Sequence, residues 1–227
     1  KYFKNYEIIA VIDGYVDKSL EEAKKIPGIK VIGYKENKGK GHALKYGFNY
    51  VTGNVVTFLD SDLDIHPKSL IGFFKYLSDA DMVIGSKRHP LSKVNYPLKR
   101  RLLSSLYHLF VMLLFNLKVK DTQSGLKIIK YDCLKEILPK VLVKKFAFDL
   151  ELLVNAKKSG YKIKEAPIRL NYNFNNGSSV SYPAVKGILL DTLAIAYRLY
   201  ILKYYDKDVP IINPIKNQLK NQNKDLL

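Results

Sequence analysis

The sequence predicts an α/β fold built on a mostly parallel sheet flanked by helices. Three observations predict it. β-Branched runs recur along the 227 residues, segments of helical spacing separate them, and 47% of the residues are hydrophobic, enough for one large domain with a real core. The runs "EIIAVID", "KVIGY", "VVTFLD" and "DMVIGS" each precede or follow a helical pattern. That is the rhythm of parallel strands joined by crossover helices.

After the second run, Gly39, Gly41 and Gly47 surround "ENKGKGHALKYGFNYV". A glycine-rich turn there opens a helix bearing Ala43, Leu44, Phe48 and Val51. A helix start with lysines beside it lets a phosphate or a sugar approach the backbone. The same glycines also suit a simple tight turn.

The third run leads into "DSDLDIHP". Asp60, Asp62 and Asp64 are spaced by two, so in an extended chain they share one face at the carboxyl end of a strand, where open α/β sheets bind ligands. Carboxylates gathered there repel one another unless a cation neutralises them, and Mg²⁺ or Mn²⁺ prefers oxygen ligands. A metal-bound diphosphate is the natural guest. In the competing reading this is a loop, and Asp64 or His66 caps a helix starting near Pro67.

Two long amphipathic segments follow, near residues 98–117 and 184–205. The first contains "LLSSLYHLFVMLLFNLKV" behind the basic cluster Lys99, Arg100 and Arg101. Its unbroken apolar run, Leu109 to Phe115, falls short of the roughly 20 residues a membrane span needs. The second places Asp191, Arg198 and Lys203 among Leu, Ile and Tyr. Both suit helices lying in a membrane interface; packing on the sheet or a dimer contact is the alternative. "FAFDLELL" sets Asp149 and Glu151 two apart at a helix start, so they face different ways: Asp149 toward the site, Glu151 into the structure. Residues 1–205 then form one domain, and the polar tail 206–227 is expected to be weakly ordered or a connector.

Composition narrows the function classes. Lys and Arg total 38 against 21 Asp and Glu, a formal net charge of +17, so an anionic partner is expected: nucleic acid, a membrane face or a phosphorylated substrate. A lysine-rich solvated surface gives the same excess. The basic residues form no single stripe interleaved with aromatics, and without a metal the aspartate cluster repels phosphate, so nucleic acid is not the expected partner. Cys133 is the single cysteine, which rules out an intrachain disulfide and a cysteine zinc site and fits a reducing compartment. The start "KYFKNYEIIAVID" lacks the apolar run of a signal peptide.

The order "EIIAVIDGYVD", "NKGKGHALKYG", "VVTFLDSDLDIHP", "VIGSKR", "DTQSGLKIIK", "FAFDLELLVNAKKSGYKIKEAPIRL" and "NNGSSV" resembles the family-2 glycosyltransferases of the GT-A fold, and among them the dolichyl- and polyprenyl-phosphate glucose and mannose synthases. The family's usual first strand has no counterpart before Lys1. The resemblance implies that Asp60 and Asp62 bind the divalent metal and the nucleotide diphosphate, with Asp64 as a further metal ligand. It puts Asp13, Asn37, Lys40 and Gly41 in the nucleotide-sugar pocket and Lys87, Arg101 and Ser105 on the lipid phosphate. Asp121, Gln123, Ser124 and Gly125 then shape the sugar pocket, with Asp121 and Gln123 grouped with Asp60 and Asp62 as catalytic. The implied reaction moves a hexose from a nucleotide sugar, UDP-glucose in preference to GDP-mannose, onto polyprenyl or dolichyl phosphate, with inversion, at the cytoplasmic face of a membrane. A non-lipid acceptor is the remaining alternative within enzymes.

Overall fold

The computed structural model describes residues 3–62, 64–94, 98–145, 147–170 and 182–207; the side chains of 98–101, 182 and 183 also lie outside the described residues. In chain order the elements are β1 (Ile9–Asp13), α1 (Ser19–Lys24), β2 (Lys30–Tyr34), α2 (Lys40–Phe48), β3 (Val55–Phe58), α3 (Leu70–Phe73), β4 (Met82–Ser86), β5 (Lys93–Val94) and α4 (Leu98–Phe115). They continue with β6 (Lys127–Lys130), α5 (Tyr131–Ile137), α6 (Phe148–Lys158), β7 (Ile163–Pro167), β8 (Arg169–Leu170) and α7 (Tyr182–Tyr200).

The architecture is α/β, as the alternating runs require, but the main sheet is mixed. Its strand order is β3-β6-β4-β7, with β4 and β7 parallel, while β6 runs antiparallel to both β3 and β4. The expected parallel pairing therefore holds in three of the five strand pairs, and β6 is the antiparallel exception. The β6 sequence "KIIK" is too short to announce a direction, and its register pairs Val55 with Lys130 and Met82 with Ile129. β1 and β2 pair in parallel, as do β5 and β8.

Burial follows the sequence. Strand β4, "MVIGS", is buried at every position because elements cover both of its faces. Helix α6 is buried from Phe148 to Ala156, with acidic residues in its first turn and Lys157 and Lys158 in its last, the placement its dipole favours. The main core gathers Phe58, Met82, Ile84, Val111, Leu134 and Phe148 between the sheet, α4, α5 and α6. The lone thiol, Cys133, is buried within it.

Glu151 fastens this core to the surface helices. Its side chain is fully buried, and Oε2 accepts the amides of Leu142 and Val143 at 2.8 and 2.6 Å. Oε1 accepts Arg198 Nη2 at 3.0 Å and the Tyr205 hydroxyl. One carboxylate therefore joins α6, the 141–145 loop, α7 and the turn after it. Residues 204–206 form a short 3₁₀ turn, with Asp206 paired to Lys158, so the first residue of the expected polar tail is tied to α6; residues 208–227 lie outside the described residues.

Removing one partner from such a buried ionic cluster is expected to be severe. Glu151→Ala should lower the unfolding free energy by about 3–5 kcal/mol, seen as a fall in the urea midpoint. Glu151→Gln keeps an acceptor for the two amides and should lose less.

Candidate active site

The sequence-predicted residues are positioned by the ends of β1, β3 and β4, by the start of α2, and by the segment 121–125. Asp13 closes β1 and organises the glycine turn. Its Oδ1 accepts the Tyr34 hydroxyl and the Lys38 amide, each at 2.8 Å, its Oδ2 accepts the Gly39 amide at 2.9 Å, and its main-chain carbonyl accepts Asn37 Nδ2 at 3.1 Å. Gly39 has φ +94°, a conformation that a side chain would strain, and an added Cβ would meet the Lys144 carbonyl at 2.6 Å. Gly41 faces inward against the Phe148 ring, and its N–H is spent on the Lys144 carbonyl at 2.8 Å. Its backbone amide therefore serves the fold and is not offered to a ligand.

Lys40, the first residue of α2, points at the end of β3. Its Nζ lies 2.8 Å from Asp60 Oδ1 and 3.4 Å from Asp149 Oδ2. Asp149 in turn pairs with Lys127 Nζ at 2.8 Å, a lysine only 1% exposed, which also donates to the Ser124 carbonyl. Burial works against the charge on Asp149, but the ammonium groups of Lys127 and Lys40 outweigh it and hold the carboxyl below its ordinary range. Burial likewise opposes the charge on Lys40, and Asp149 and Asp60 together overcome it, keeping this ammonium above the usual lysine value. Lys127 is the converse: its burial dominates and pulls it down against the opposing attraction of Asp149.

The three aspartates do not line one face of an extended strand. β3 stops at Phe58 and the chain turns at Ser61 and Asp62, where the Asp62 carboxylate accepts the Asp64 amide at 3.1 Å. Asp60 and Asp62 are left accessible to solvent, and His66, whose ring accepts the Lys68 amide at 3.1 Å, caps the turn beginning at Pro67. Among the described residues, no three His, Cys, Asp or Glu side chains converge as a ready cation cage.

The segment 121–125 connects this cluster to a second one. At its far end Gly125 is pressed onto Asp60, and a Cβ there would come within 2.6 Å of the Asp60 carboxyl carbon. At its near end the buried Asp121 accepts the Lys87 amide at 2.9 Å and the Gln123 amide at 3.1 Å, and pairs with Lys87 Nζ at 3.1 Å. Lys87 Nζ also reaches the Gln123 carbonyl at 3.4 Å. Glu165 on β7 accepts the amides of Lys120 and Asp121, fixing the entry to the segment.

Arg88 is the residue that sequence reasoning missed here. Its Nη2 donates to the hydroxyls of Ser104 and Ser105 on α4, at 3.2 and 3.3 Å. The signal was present in "GSKR", directly after the most buried strand, but nothing local tells which of two adjacent cations turns toward α4. Lys127 was missed too, because a lysine at the start of a strand reads as solvent-facing. Arg101 falls in the first turns of α4, with its side chain outside the described residues, as is the "NNGSSV" loop.

Solved structures of the same architecture are glycosyltransferases of the GT-A class. One is glucosyl-3-phosphoglycerate synthase from Mycobacterium tuberculosis, determined in complex with Mn²⁺, UDP-glucose and phosphoglyceric acid. It superposes with a TM-score of 0.63 at 15% identity, over 89% of this chain and 70% of that one. The match to the description "Glycosyl transferase family 2" spans residues 1–138, and the chain belongs to that family. A dolichyl-phosphate beta-glucosyltransferase of Trichomonas vaginalis is 31% identical over 202 residues, covering 84% of this chain; the chain spans 61% of that relative's length. An uncharacterised protein of Methanocaldococcus jannaschii is 32% identical over 188 residues, 78% of this chain and 76% of its own.

Gly125→Ala is expected to drive Asp60 off its seat. It should cost about 1–3 kcal/mol as an overpacking change and lower glycosyl transfer. Gly72→Ala, whose added methyl meets nothing within 4 Å, should leave transfer unchanged.

Proposed function

We propose that this glycosyltransferase moves a hexose, glucose from UDP-glucose in preference to mannose from GDP-mannose, onto a polyprenyl or dolichyl phosphate at the cytoplasmic face of a membrane. The observation that carries this reading is the 121–125 segment, which abuts Asp60 at one end and Lys87 at the other. It sets a carboxylate cluster suited to a metal-bound diphosphate beside two cations and two hydroxyls suited to a phosphate acceptor. The activity printed for the Trichomonas relative supports the same acceptor class.

The donor side fits a divalent cation in its chemistry. Asp60 and Asp62 offer hard oxygen donors, and Asp60 already holds a cationic group, the Lys40 ammonium. The protein supplies part of a coordination shell and leaves the rest to diphosphate and water. When bound by Asp60 and Asp62, Mg²⁺ or Mn²⁺ would neutralise the charge that builds on the departing nucleoside diphosphate. Asp13, through Asn37 and the Gly39 turn, orders the rim where the nucleotide would lie.

On the acceptor side, Lys87, Arg88 and Ser105 would hold the phosphate, with Arg101 as a further candidate. A phosphate monoester has its second pKa near 6, so at neutral pH its oxygen is already a nucleophile and needs no base. That oxygen attacks the anomeric carbon, the bond to the diphosphate breaks, and the electron pair leaves with the diphosphate. One displacement inverts the centre, so an α-linked donor gives a β-linked product. The chain's own residues contribute alignment and charge compensation.

The surface supports a lipid acceptor. α4 and α7 pack side by side, joined by the Tyr107 and Thr192 hydroxyls at 2.9 Å. Their outer faces expose Leu102, Leu106 and Leu113 on α4 and Leu190, Leu193 and Tyr197 on α7, Leu113 at 75%. No helix among the described residues is long and apolar enough to cross a membrane. A paired amphipathic face beside Lys87 and Arg88 suits a headgroup boundary. A soluble phosphorylated acceptor is the second reading, favoured by the phosphoglyceric acid of the Mycobacterium neighbour; the same cations would serve it, and the apolar face would then need another role.

With radiolabelled UDP-glucose, polyprenyl phosphate and Mn²⁺, label should enter the organic phase; Asp62→Ala or a chelator should abolish the transfer. Label from GDP-mannose alone would move the donor assignment, and label on phosphoglyceric acid alone would replace the lipid reading. Leu106→Glu combined with Leu193→Glu should weaken sedimentation with anionic vesicles at least about tenfold, from the apolar burial forgone.

A further inference from the structure

Lys40 sits where a cation bound to Asp60 would sit. Its Nζ is 2.8 Å from Asp60 Oδ1 and 3.0 Å from Oδ2, so the ammonium straddles both oxygens. A second acceptor is close by, Asp149 Oδ2 at 3.4 Å. Asp149 is not free to follow a cation, because its other oxygen is held by the buried Lys127 at 2.8 Å. The main chain beside Lys40 is equally fixed: the Gly39 amide is bound to Asp13 and the Gly41 amide to the Lys144 carbonyl. What can change is the ammonium, a compact charge on a flexible four-carbon stem that is 36% exposed.

We propose that Lys40 is a resident counter-cation exchanged between two carboxylates: it neutralises Asp60 until a divalent cation arrives, then gives Asp60 up and pairs with Asp149. The inference rests on the reading of Asp60 as a metal ligand. The four groups Asp60, Lys40, Asp149 and Lys127 balance in charge, so Asp60 waits without an unpaired carboxylate. A dication on Asp60 repels the ammonium, and the nearest alternative acceptor is already oriented by Lys127. Lys127 thus acts as a positioning residue that keeps Asp149 in place for Lys40 and away from the metal. Lys40 and free metal therefore compete for Asp60. Metal enters more readily together with an anionic diphosphate, and the two should bind cooperatively.

The test is Mn²⁺ binding, read from the electron paramagnetic resonance signal of the free ion and extended to millimolar metal, with and without UDP. Lys40→Met should tighten binding of Mn²⁺ alone by about three- to tenfold, the range expected when one partly exposed competing charge is removed. It should also shrink the gain that UDP confers. Asp149→Asn should weaken Mn²⁺ binding, because Lys40 loses its alternative partner, and should have no further effect in the Lys40→Met background. Circular dichroism checks that each variant is folded, and Lys40→Met alone decides the matter if Asp149→Asn is not. If Asp60→Asn binds Mn²⁺ as the unaltered protein does, the metal reading and the exchange both fall. If Asp60→Asn abolishes binding while Lys40→Met leaves it unchanged or weaker, the metal reading stands and the exchange is overturned.

Discussion

Asp149 is a carboxylate carried out of water on the first turn of α6, and it is tolerable there only because two ammonium groups meet it. Lys127 comes from β6 and Lys40 from α2, and Lys40 goes on to Asp60 at the end of β3. Four elements distant in sequence are tied by one alternating row of charges. A buried charge stripped of its partners costs several kcal/mol, so the row constrains where α6 and the start of α2 can sit relative to the sheet. The position of Asp60 depends on that constraint.

Two residues further along the same helix, Glu151 faces the other way and holds Arg198, Tyr205 and the loop amides at Leu142 and Val143. That loop backs the glycine turn through the Lys144 carbonyl, which accepts the Gly41 amide. Helix α6 thus connects the Asp60–Lys40 cluster on one side to the exposed apolar helices on the other. A buried helix between a charged site and an amphipathic face sets how far the site stands from whatever that face lies against.

The net charge of +17 is spread along the chain, but the cations that define the site are few and individually anchored. Lys40 and Lys127 are neutralised within the fold, whereas Lys87 and Arg88 are held by one carboxylate and two hydroxyls. The Lys87–Arg88 cluster therefore holds two cations against one carboxylate, whereas each ammonium of the Asp60 cluster is matched by a carboxylate. That asymmetry leaves the Lys87–Arg88 cluster the more attractive of the two to an anion.

The sequence by itself determined the α/β class, the first four strands and the two long amphipathic helices, and it drew attention to Asp13, Lys40, Asp60, Asp62, Lys87 and Asp121, which the structure places at or just beyond strand ends, at the start of α2 or in the segment that joins the clusters. Hydrophobic period and glycine placement are local properties, so they are readable without the fold. The opposite roles of Asp149 and Glu151 were likewise legible from their spacing on one helix. Tertiary structure alone decided that β6 runs antiparallel, that Asp60 to Asp64 turn instead of extending, and that Arg88 reaches Ser104 and Ser105. It also decided that Lys127 is buried against Asp149. Each of these depends on a partner far away in the chain or on a bend at a strand's end. A strand's direction, a turn's exit and the partner of a charged side chain are settled by what packs against them, which no local pattern of residues contains.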